Sequence, residues 1–599
     1  MSDLAGIQLH YLSSIDDMME LKRWMGERRP VLGIDTETGG FDWWRQPLRM
    51  VQVGDAMTGW AIPFDDWKGV VKELIPVYDR EIVFHNWKFD VLFLEHNGVG
   101  VPRRLLHDSE VLCHLENSAR PKALKAAATR YIDGGFAAGQ QKLDELMATE
   151  GWNWATIPID NPMYWQYAAL DPIMTARLWE MFKHHCTSSI YDIEIRSTDV
   201  LLRAERRGYR LDVEYCERVI PWLRNRAQQL RAWAKEAYGI KNLTSDMQVA
   251  KILEADGWEP TVFTDSGRPS LKKEVAQWIV HPIAQAMLEC KHSEKMAGAY
   301  LENFVEYSFD GRVHAKINPI GTRTGRNSVT EPALQTLPRD DTVCRNAFIP
   351  SVGNQLVLCD YDQIEARAMV HFAEIVSGRH SELSDLFTPG GVDFFTGMAR
   401  RAFQDPTIVK ADLKRQRMKN GVYAKIYGSG IAKFSVTIGV SESEGGDFIR
   451  MIDNTFPEIL GLQNAVAQAG DMREKDEGVA YIITPYGQRH VLSHREGTYK
   501  LLNYLVQGTA ANMFKMKMVE LDAAGIGDYL VLPVHDELDF DVPQPEIVDV
   551  QRIIQEVMPL QVGSDIGGEP LRVPISVGVD VVNRWGEKYE KDTEGMVAA

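Results

Sequence analysis

The feature that most constrains this chain is the short stretch Gln355–Arg367, which reads QLVLCDYDQIEAR. Its apolar run Leu356–Cys359 has the length of a buried strand, and Asp360 follows at once. The residues after Asp360 have helical character. A carboxylate at the end of a buried strand is costly to desolvate unless a cation compensates it. Two interpretations are therefore open: Asp360 caps the following helix, or it serves a cation site.

The composition predicts an ordinary globular protein of two to four domains. A chain of 599 residues exceeds one hydrophobic core, and 45% of its residues are hydrophobic and 25% charged. No apolar run approaches the roughly 18 residues of a membrane span, and the N-terminus is unlike a signal peptide. Six scattered cysteines without a CxxC pair predict a reducing compartment, with neither a disulfide framework nor a zinc site.

The charge distribution is uneven. A net charge of −18 argues against a nucleic-acid partner, because phosphates attract lysine and arginine. The segment from Arg400 to Lys425, however, holds eight basic residues and two acidic ones. Such a segment inside an acidic chain is typical of a phosphate-handling site, although a solvated helix face has the same composition.

The first third of the chain contains three short polar segments. Asp35 and Glu37 follow a strand-like run and fall on one side of an extended backbone. The second segment, His85–Asp90, also follows an apolar run, and the third places Tyr167 and Asp171 four residues apart. Each segment has an alternative interpretation as a solvated strand end, a helix cap or a core tyrosine.

Together, and in this order, the segments DxE, HNxxFD and YxxxD closely resemble the DEDD-type 3′→5′ exonucleases of the subclass with a tyrosine, over about residues 25 to 185. The resemblance implies that Tyr167 orients an attacking water. It also implies two divalent ions held by four carboxylates, Asp35, Glu37, Asp90 and Asp171. Hard carboxylate oxygens suit Mg²⁺ or Mn²⁺.

Two details in this region allow alternatives. Pro172 directly follows Asp171, and proline suits the first turn of a helix, so Asp171 is either an N-cap or part of a helix interior. Trp43 and Trp44 follow a Gly-Gly turn and either stack on unpaired bases or fill the domain core.

The middle of the chain carries a helical stripe. Residues four apart drift slowly around a helix, and four such positions are occupied by Arg415, Lys419, Tyr423 and Tyr427. The adjacent stripe is apolar and consists of Met418, Val422 and Ile426. Two cations followed by two rings on one face suit a nucleotide, with the charges on the triphosphate and the rings near the base.

The last third contains a further pair of neighbouring carboxylates. The strand-like run Tyr529–Val534 precedes His535-Asp536-Glu537 and a second, alternating run, which predicts a hairpin with carboxylates at its tip. Pro533 argues against a fully paired central strand on that side.

These segments closely resemble family A DNA polymerases, the family of bacterial DNA polymerase I, over about residues 25 to 590. RQRMKNGVYAKIYG matches the O-helix of the family, DYDQIEAR its motif A and VHDE its motif C. The TxTGR segment ending at Arg326, the following PALQ segment ending at Gln335 and the NxxxQGTA helix beginning at Asn503 match further signatures. The resemblance implies a template-directed polymerase with proofreading, similar to compact phage members.

The resemblance also implies roles for individual residues. Asp360 and Asp536 would hold two Mg²⁺ ions, for which Mn²⁺ can substitute, with the Tyr361 carbonyl assisting and Glu537 as a supporting carboxylate. The incoming dNTP would meet Arg415, Lys419, Tyr423, Gln363 and Glu365. Within that set, Lys419 would protonate pyrophosphate, Tyr423 would weaken the exclusion of dideoxynucleotides, and Glu365 would exclude a ribose 2′-hydroxyl. DNA would meet Arg326, Gln335, Tyr427, Asn503, Gln507 and His535.

Three positions depart from the family pattern. Ala333 replaces an asparagine, Phe395 replaces a histidine that contacts phosphate in relatives, and Tyr499 stands where an arginine is usual. The contacts of that histidine and that arginine are not carried over to this chain.

The expected fold is α/β and α+β, with an RNase H-like exonuclease domain at 1–187 and a right-hand polymerase domain at 188–599. Within the latter we expect a thumb at about 210–305, a palm at about 306–385 and 495–599, and fingers at about 386–494. The 5′-nuclease domain of the bacterial enzymes is expected to be missing.

The expected partners are primer–template DNA and dNTPs. Replisome proteins, such as a helicase or a single-strand-binding protein, are further candidate partners that the sequence does not identify. We expect a monomer without membrane contact, in the cytoplasm of the host if the chain is phage-encoded. The alternative function is a 3′→5′ exonuclease with a non-functional polymerase half. A non-catalytic nucleic-acid-binding protein would leave two complete carboxylate sets without a use.

Overall fold

The computed structural model describes residues 6–264, 266–338, 342–387 and 391–590. The chain forms two compact units. The first contains residues 1–202 together with 486–493, and the second contains residues 203–485 and 494–599. Within the described residues, no helix has the length and apolar character needed to span a membrane.

The first unit is built on a mixed six-stranded sheet. Its strands are β1 (Gln8–Tyr11), β2 (Leu32–Thr38), β3 (Leu48–Gly54), β4 (Thr58–Pro63), β5 (Ile82–Phe84) and β6 (Leu106–Asp108), in the spatial order β1-β4-β3-β2-β5-β6. β2, β3 and β4 are antiparallel neighbours, whereas β5 runs parallel to β2 and β6. The helices are α1 (Ile15–Gly26), α2 (Phe64–Leu74), α3 (Trp87–His96), α4 (Ser109–Glu116), α5 (Leu124–Tyr131), α6 (Ala137–Glu150) and α7 (Pro162–Phe182). The next helix, α8 (Ser189–Arg207), begins in the first unit and ends in the second.

Two open questions in this unit are decided by the structure. Trp43 and Trp44 are 6% and 7% exposed and belong to the hydrophobic core, so they are not available for base stacking. The helix α7 begins with Asn161 as its cap and continues through Pro172, so the alternative that Asp171 is an N-cap is wrong. An interior proline removes one backbone N–H donor and its ring crowds the carbonyl four residues earlier, yet the residues on both sides of Pro172 are helical.

The second unit carries a four-stranded antiparallel sheet in the order β15-β16-β12-β17. The strands after β6 are β7 (Tyr209–Arg210), β8 (Ser308–Phe309), β9 (Arg312–Val313), β10 (Lys316–Asn318), β11 (Ser328–Thr330), β12 (Asn354–Tyr361), β13 (Tyr481–Ile483), β14 (Arg489–Val491), β15 (Leu530–Val534), β16 (Glu537–Pro543) and β17 (Val577–Val582). β14 lies in the segment that groups with the first unit.

The helices of the second unit alternate with these strands along the chain. They are α9 (Val213–Tyr238), α10 (Asp246–Ala255), α11 (Lys273–Ala276), α12 (Pro282–Glu294), α13 (Asn303–Glu306), α14 (Ile364–Ser377), α15 (Phe394–Phe403), α16 (Leu413–Ile426), α17 (Ile431–Ile438), α18 (Glu442–Thr455), α19 (Pro457–Glu477), α20 (Leu501–Ala523) and α21 (Ile547–Val557). A π-helical segment, Lys295–Glu302, joins α12 to α13.

The predicted hairpin is confirmed, with His535 and Asp536 at the turn between β15 and β16. β15 is an edge strand, which accommodates Pro533. Asp360 lies inside β12, and the cap of α14 is Gln363, whose φ is +56°. The N-cap interpretation of Asp360 is therefore wrong.

Candidate active sites

In the first unit, the helix α7 lies directly against the sheet because glycines face it. A Cβ atom on Gly33 would stand 2.2 Å from the carbonyl oxygen of Pro172, and one on Gly59 would stand 1.9 Å from that of Ala169. Real Cβ atoms do not make contacts this short, so only glycine permits the approach. This close packing brings Asp171 on α7 to the carboxylates of β2.

The predicted exonuclease carboxylates converge. Oxygens of Asp35, Glu37 and Asp171 all lie within 4.8 Å of one another. Asp90, from the first turn of α3, accepts a hydrogen bond of 2.7 Å from Thr36. Its charge also helps raise the pKa of Asp35.

Burial of these carboxylates disfavours their ionised forms. Desolvation, followed by the charges of Asp90, Asp171 and Glu37, raises the pKa of Asp35 well above its usual range. Desolvation and the Asp171 charge likewise raise the pKa of Glu37 to about 8, and desolvation raises that of Asp90 to about 8. Hard oxygen donors that repel one another in a buried site are a fitting donor set for divalent metal ions.

Two polar side chains join this site without a signal in the sequence. Nζ of Lys125, on α5, forms an ion pair with Asp171 and lies 3.9 Å from the centre of the Tyr167 ring. The Tyr167 hydroxyl donates to the side-chain oxygen of Gln140 on α6. Both contacts join residues from separate helices, so no local pattern could have indicated them.

In the second unit, the sheet brings together the two carboxylates predicted to serve DNA synthesis. Asp360 is directly opposite Glu537 in the pairing of β12 with β16. The backbone N–H of Tyr361 donates to the carbonyl of Asp536 across 3.3 Å. The pairing thus joins the end of β12 to the β15–β16 turn, and the two aspartates offer oxygen ligands that suit a divalent ion.

An arginine connects this turn to α14. Nη2 of Arg326 lies 3.1 Å from Oδ1 of Asp536 and 2.5 Å from Oε1 of Glu365. The Tyr427 hydroxyl donates to the other Glu365 oxygen across 2.7 Å. Burial alone would lower the pKa of Arg326, but the two carboxylates raise it above its ordinary value. Glu365 is 6% exposed and is held from two sides.

The predicted stripe lies on α16, which Asp412 caps by accepting a hydrogen bond from the Lys414 N–H. The apolar stripe is confirmed as buried, with Met418, Val422 and Ile426 between 0% and 1% exposed. Arg415 and Lys419 occupy the first half of the helix, and the rings of Tyr423 and Tyr427 are 5.9 Å apart.

Arg415 has a local anion as its partner. Its Nε and Nη2 each lie 2.9 Å from a carboxylate oxygen of Asp393, which caps α15. Gln363 also reaches Asp393, with Nε2 3.4 Å from Oδ1. Phe395, at the position of the family's histidine, is 1% exposed and packs on Tyr423 with ring centres 5.4 Å apart. An apolar ring thus stands where a phosphate contact would be expected.

The residues predicted to meet DNA are placed around the β15–β16 turn and α20. A ring nitrogen of His535 lies 3.0 Å from the Gln335 carbonyl oxygen, and the Gln335 amide lies 3.4 Å from the Pro533 carbonyl. Asn503 and Gln507 lie in the first two turns of α20. The hydroxyl of Tyr427 also interacts with Gln507.

Comparisons with known proteins match the two parts of the chain to two different family models. A family model for DNA polymerase family A matches residues 213–587, and a 3′-5′ exonuclease model matches residues 12–186. The DNA polymerases of Mycobacterium phages D29 and L5 are 26% and 25% identical, each over 98% of both chains.

A solved structure with a similar fold is the POL domain of Pol1 from M. smegmatis, in complex with DNA primer-template and dNTP. It has a TM-score of 0.75 and 22% identity, and the match covers 97% of this chain and 99% of that one. The model matches span both units, with the polymerase family model covering more than half of the chain. The chain belongs to DNA polymerase family A and carries a 3′-5′ exonuclease domain.

Proposed function

We propose that this polymerase extends a DNA primer with dNTPs at the Asp360–Asp536 site and proofreads at the Asp35–Asp171 site. The observation that carries the proposal is the pairing of β12 with β16, which joins two aspartates distant in sequence beside a helix with cations on one face. Asp360 and Asp536, with the Tyr361 carbonyl, would hold two Mg²⁺ ions. Asp35, Glu37, Asp90 and Asp171 would hold two more.

The bound ions would activate the attacking oxygen and neutralise charge on the phosphates. Arg415 and Lys419 would bind the triphosphate, with Arg415 exchanging its Asp393 contact for a phosphate. Lys419 would donate a proton to the leaving pyrophosphate. Gln363 and Tyr423 would line the nucleotide site, and Glu365 would exclude a 2′-hydroxyl.

DNA would be held by groups around the same turn. We assign Arg326, Gln335 and Tyr427 to the duplex near the primer end, and Asn503, Gln507 and His535 to the minor groove. Minor-groove acceptors are similar for all base pairs, so such contacts report pairing geometry rather than sequence. In the exonuclease site, Tyr167 would orient the attacking water.

We propose domain boundaries at 1–187 and 188–599, with the thumb at about 210–305, the palm at about 306–385 and 495–599, and the fingers at about 386–494. The family matches at 12–186 and 213–587 support this division. The similarity to phage polymerases supports a role in phage DNA replication. We propose further that the chain acts as a monomer in the host cytoplasm.

A labelled primer on a longer template, incubated with Mg²⁺, tests both sites. We expect extension with dNTPs and shortening without them. The variants Asp536→Asn and Asp171→Asn form a matched pair, since each removes one carboxylate charge from one site. Asp536→Asn should shorten the primer but not extend it, and Asp171→Asn should do the reverse.

Shortening by the wild type in both conditions would support the alternative, an exonuclease with a non-functional polymerase half. Full extension by Asp536→Asn would refute the assignment of the polymerase site.

A further inference from the structure

Lys588 lies beside the carboxylates of the polymerase site although no family motif contains it. It belongs to the segment Trp585–Tyr589, which follows β17. Its Nζ forms an ion pair with Glu537 and lies 3.9 Å from Oδ2 of Asp360. The side chain is 11% exposed, so the charge acts largely out of water.

A cation is needed at this point of the sheet. Asp360 and Glu537 are directly opposite each other on β12 and β16, and like charges at such a pair destabilise a sheet. Asp539 follows two positions later on β16 and is 0% exposed. Burial and the Glu537 charge raise the pKa of Asp539 well above its ordinary value. Nζ of Lys588 contacts two members of this group, Asp360 and Glu537.

The segment that carries Lys588 is firmly anchored. Trp585 is 0% exposed and its ring packs 5.7 Å from that of Phe348. The guanidinium of Arg345 lies 4.5 Å from the centre of the Tyr589 ring. These contacts fix the chain on both sides of Lys588. The packing of Trp585 and Tyr589 therefore helps to hold the Lys588 side chain beside Glu537.

Glu537 is fully occupied by this segment. It accepts hydrogen bonds from Nε1 of Trp585 across 3.1 Å and from the Tyr589 hydroxyl across 3.2 Å, in addition to the Lys588 ion pair. Glu537 is 3% exposed, and these three partners direct its carboxylate toward the segment Trp585–Tyr589.

We infer that Lys588 is a positioning residue for DNA synthesis: it holds Glu537 away from the metal ligands and sets the charge beside Asp360. The inference rests on the proposed roles of Asp360 and Asp536. Without Lys588, only the neutral hydrogen bonds from Trp585 and Tyr589 would hold Glu537, and its uncompensated carboxylate would compete for the metal ions as a third ligand. Metal ions would then bind more tightly but with incorrect geometry for the attack.

The test compares Lys588→Met and Lys588→Arg with Lys517→Met in the full chain. Lys517 is a matched control, because its side chain is 9% exposed and pairs with a glutamate, Glu520, across 2.8 Å. Steady-state extension gives kcat and the KM for dNTP, and a Mg²⁺ titration gives the half-saturating concentration. Shortening of single-stranded DNA by the same samples reports the integrity of the exonuclease domain.

Misplacing reacting groups by about 1 Å can cost on the order of 10²-fold in rate, and we expect such a loss of kcat for Lys588→Met. The KM for dNTP should not change, and the half-saturating Mg²⁺ concentration should fall. Lys588→Arg, which keeps the charge, should recover part of the rate. Lys517→Met should resemble the wild type in all three quantities.

Wild-type kcat in Lys588→Met would overturn the inference. So would a loss without any change in Mg²⁺ dependence, or one that Lys588→Arg does not relieve, since these outcomes indicate a structural role only. Asp536→Asn distinguishes a failure of the proposed function from a failure of the proposed role of Lys588. If it still extends the primer, the proposed function fails; if it is inactive while Lys588→Met is normal, only the role of Lys588 fails.

Discussion

Nη2 of Arg326 donates to Oδ1 of Asp536 across 3.1 Å, joining residues that are 210 positions apart in the chain. The same guanidinium pairs with Glu365, whose other oxygen accepts from Tyr427. One hydrogen-bonded network, in which Glu365 is buried and Tyr427 is 39% exposed, thus connects a metal-binding candidate, the residue proposed to select deoxyribose and the end of α16. Changes at any member should reach the others, because side-chain hydrogen-bond networks are coupled.

Glu365→Ala should weaken discrimination against ribonucleotides. The substitution removes a buried carboxylate beside the proposed sugar position and leaves Tyr427 without its acceptor. We expect the ratio of rNTP to dNTP incorporation to rise, with a lower kcat for dNTPs because Arg326 loses one partner. Single-nucleotide incorporation measures both. Tyr427→Phe, which removes only the hydrogen bond, should show a smaller change in the same direction. An unchanged ratio in Glu365→Ala would contradict the assignment.

Tyr423→Phe should make the enzyme reject dideoxynucleotides. In the proposed nucleotide site, the tyrosine hydroxyl would offer the triphosphate a hydrogen bond that does not depend on the sugar 3′-hydroxyl. A hydrogen bond to a charged group contributes about 1.5–3 kcal/mol, so its loss should raise the preference for dNTP over ddNTP by about 10-fold or more. Competitive incorporation of the two nucleotides gives the ratio. Equal ratios in both proteins would show that Tyr423 does not set this preference.

Gly33→Ala should abolish exonuclease activity, because the new methyl group would meet the Pro172 carbonyl at 2.2 Å and displace α7 from β2. Forced repacking of this kind costs about 1–3 kcal/mol, so the free energy of unfolding should also fall. Gly69→Ala is the matched control. It lies in α2, nothing stands within 4 Å of its added methyl group, and the helix should gain up to about 1 kcal/mol.

Lys125→Met should destabilise the protein in the absence of metal. Asp171 would lose its ion-pair partner inside a group of buried carboxylates. We expect the free energy of unfolding to fall by about 1–3 kcal/mol in EDTA, since Lys125 is partly exposed. Mg²⁺ should reduce the difference, because it supplies the missing positive charge. Lys122→Met is a control: its partner is Glu110, at 3.3 Å, outside the site. Equal losses with and without Mg²⁺ would argue against metal binding here.

His371 should make the second unit sensitive to acid. It is 0% exposed on α14, and its Nδ1 accepts a hydrogen bond from the Arg572 N–H across 3.2 Å. Burial, with the Arg572 charge, lowers the pKa of His371 to about 4. The neutral imidazole therefore stabilises the folded state fully above its ordinary pKa of about 6.5, and this contribution is lost as the pH falls through about 4. The free energy of unfolding should fall by about 3 kcal/mol over this range.

The measurement is the free energy of unfolding against pH. His371→Asn keeps an acceptor near the position of Nδ1 but does not titrate in this range, so its stability should fall less between pH 6.5 and 4. Identical pH profiles for the two proteins would exclude His371 as the acid-sensitive group.

The sequence by itself determined the chemistry and the local elements. The stripe from Arg415 to Tyr427 indicated a helix with one nucleotide-binding face, and the buried Met418, Val422 and Ile426 confirm its orientation. The alternating run around Asp536 likewise indicated a hairpin with a carboxylate at its turn. These features depend on periodicity over a few residues, which the sequence displays directly.

Only the tertiary structure decided which polar groups share a site. The close approach of α7 to β2 requires a glycine at position 33, and Lys125 reaches Asp171 from a separate helix. The contact of Lys588 with Glu537 depends on the segment after β17 returning to the pair β12–β16. No local pattern encodes such contacts, because burial and charge compensation are properties of packed elements that are far apart in the chain.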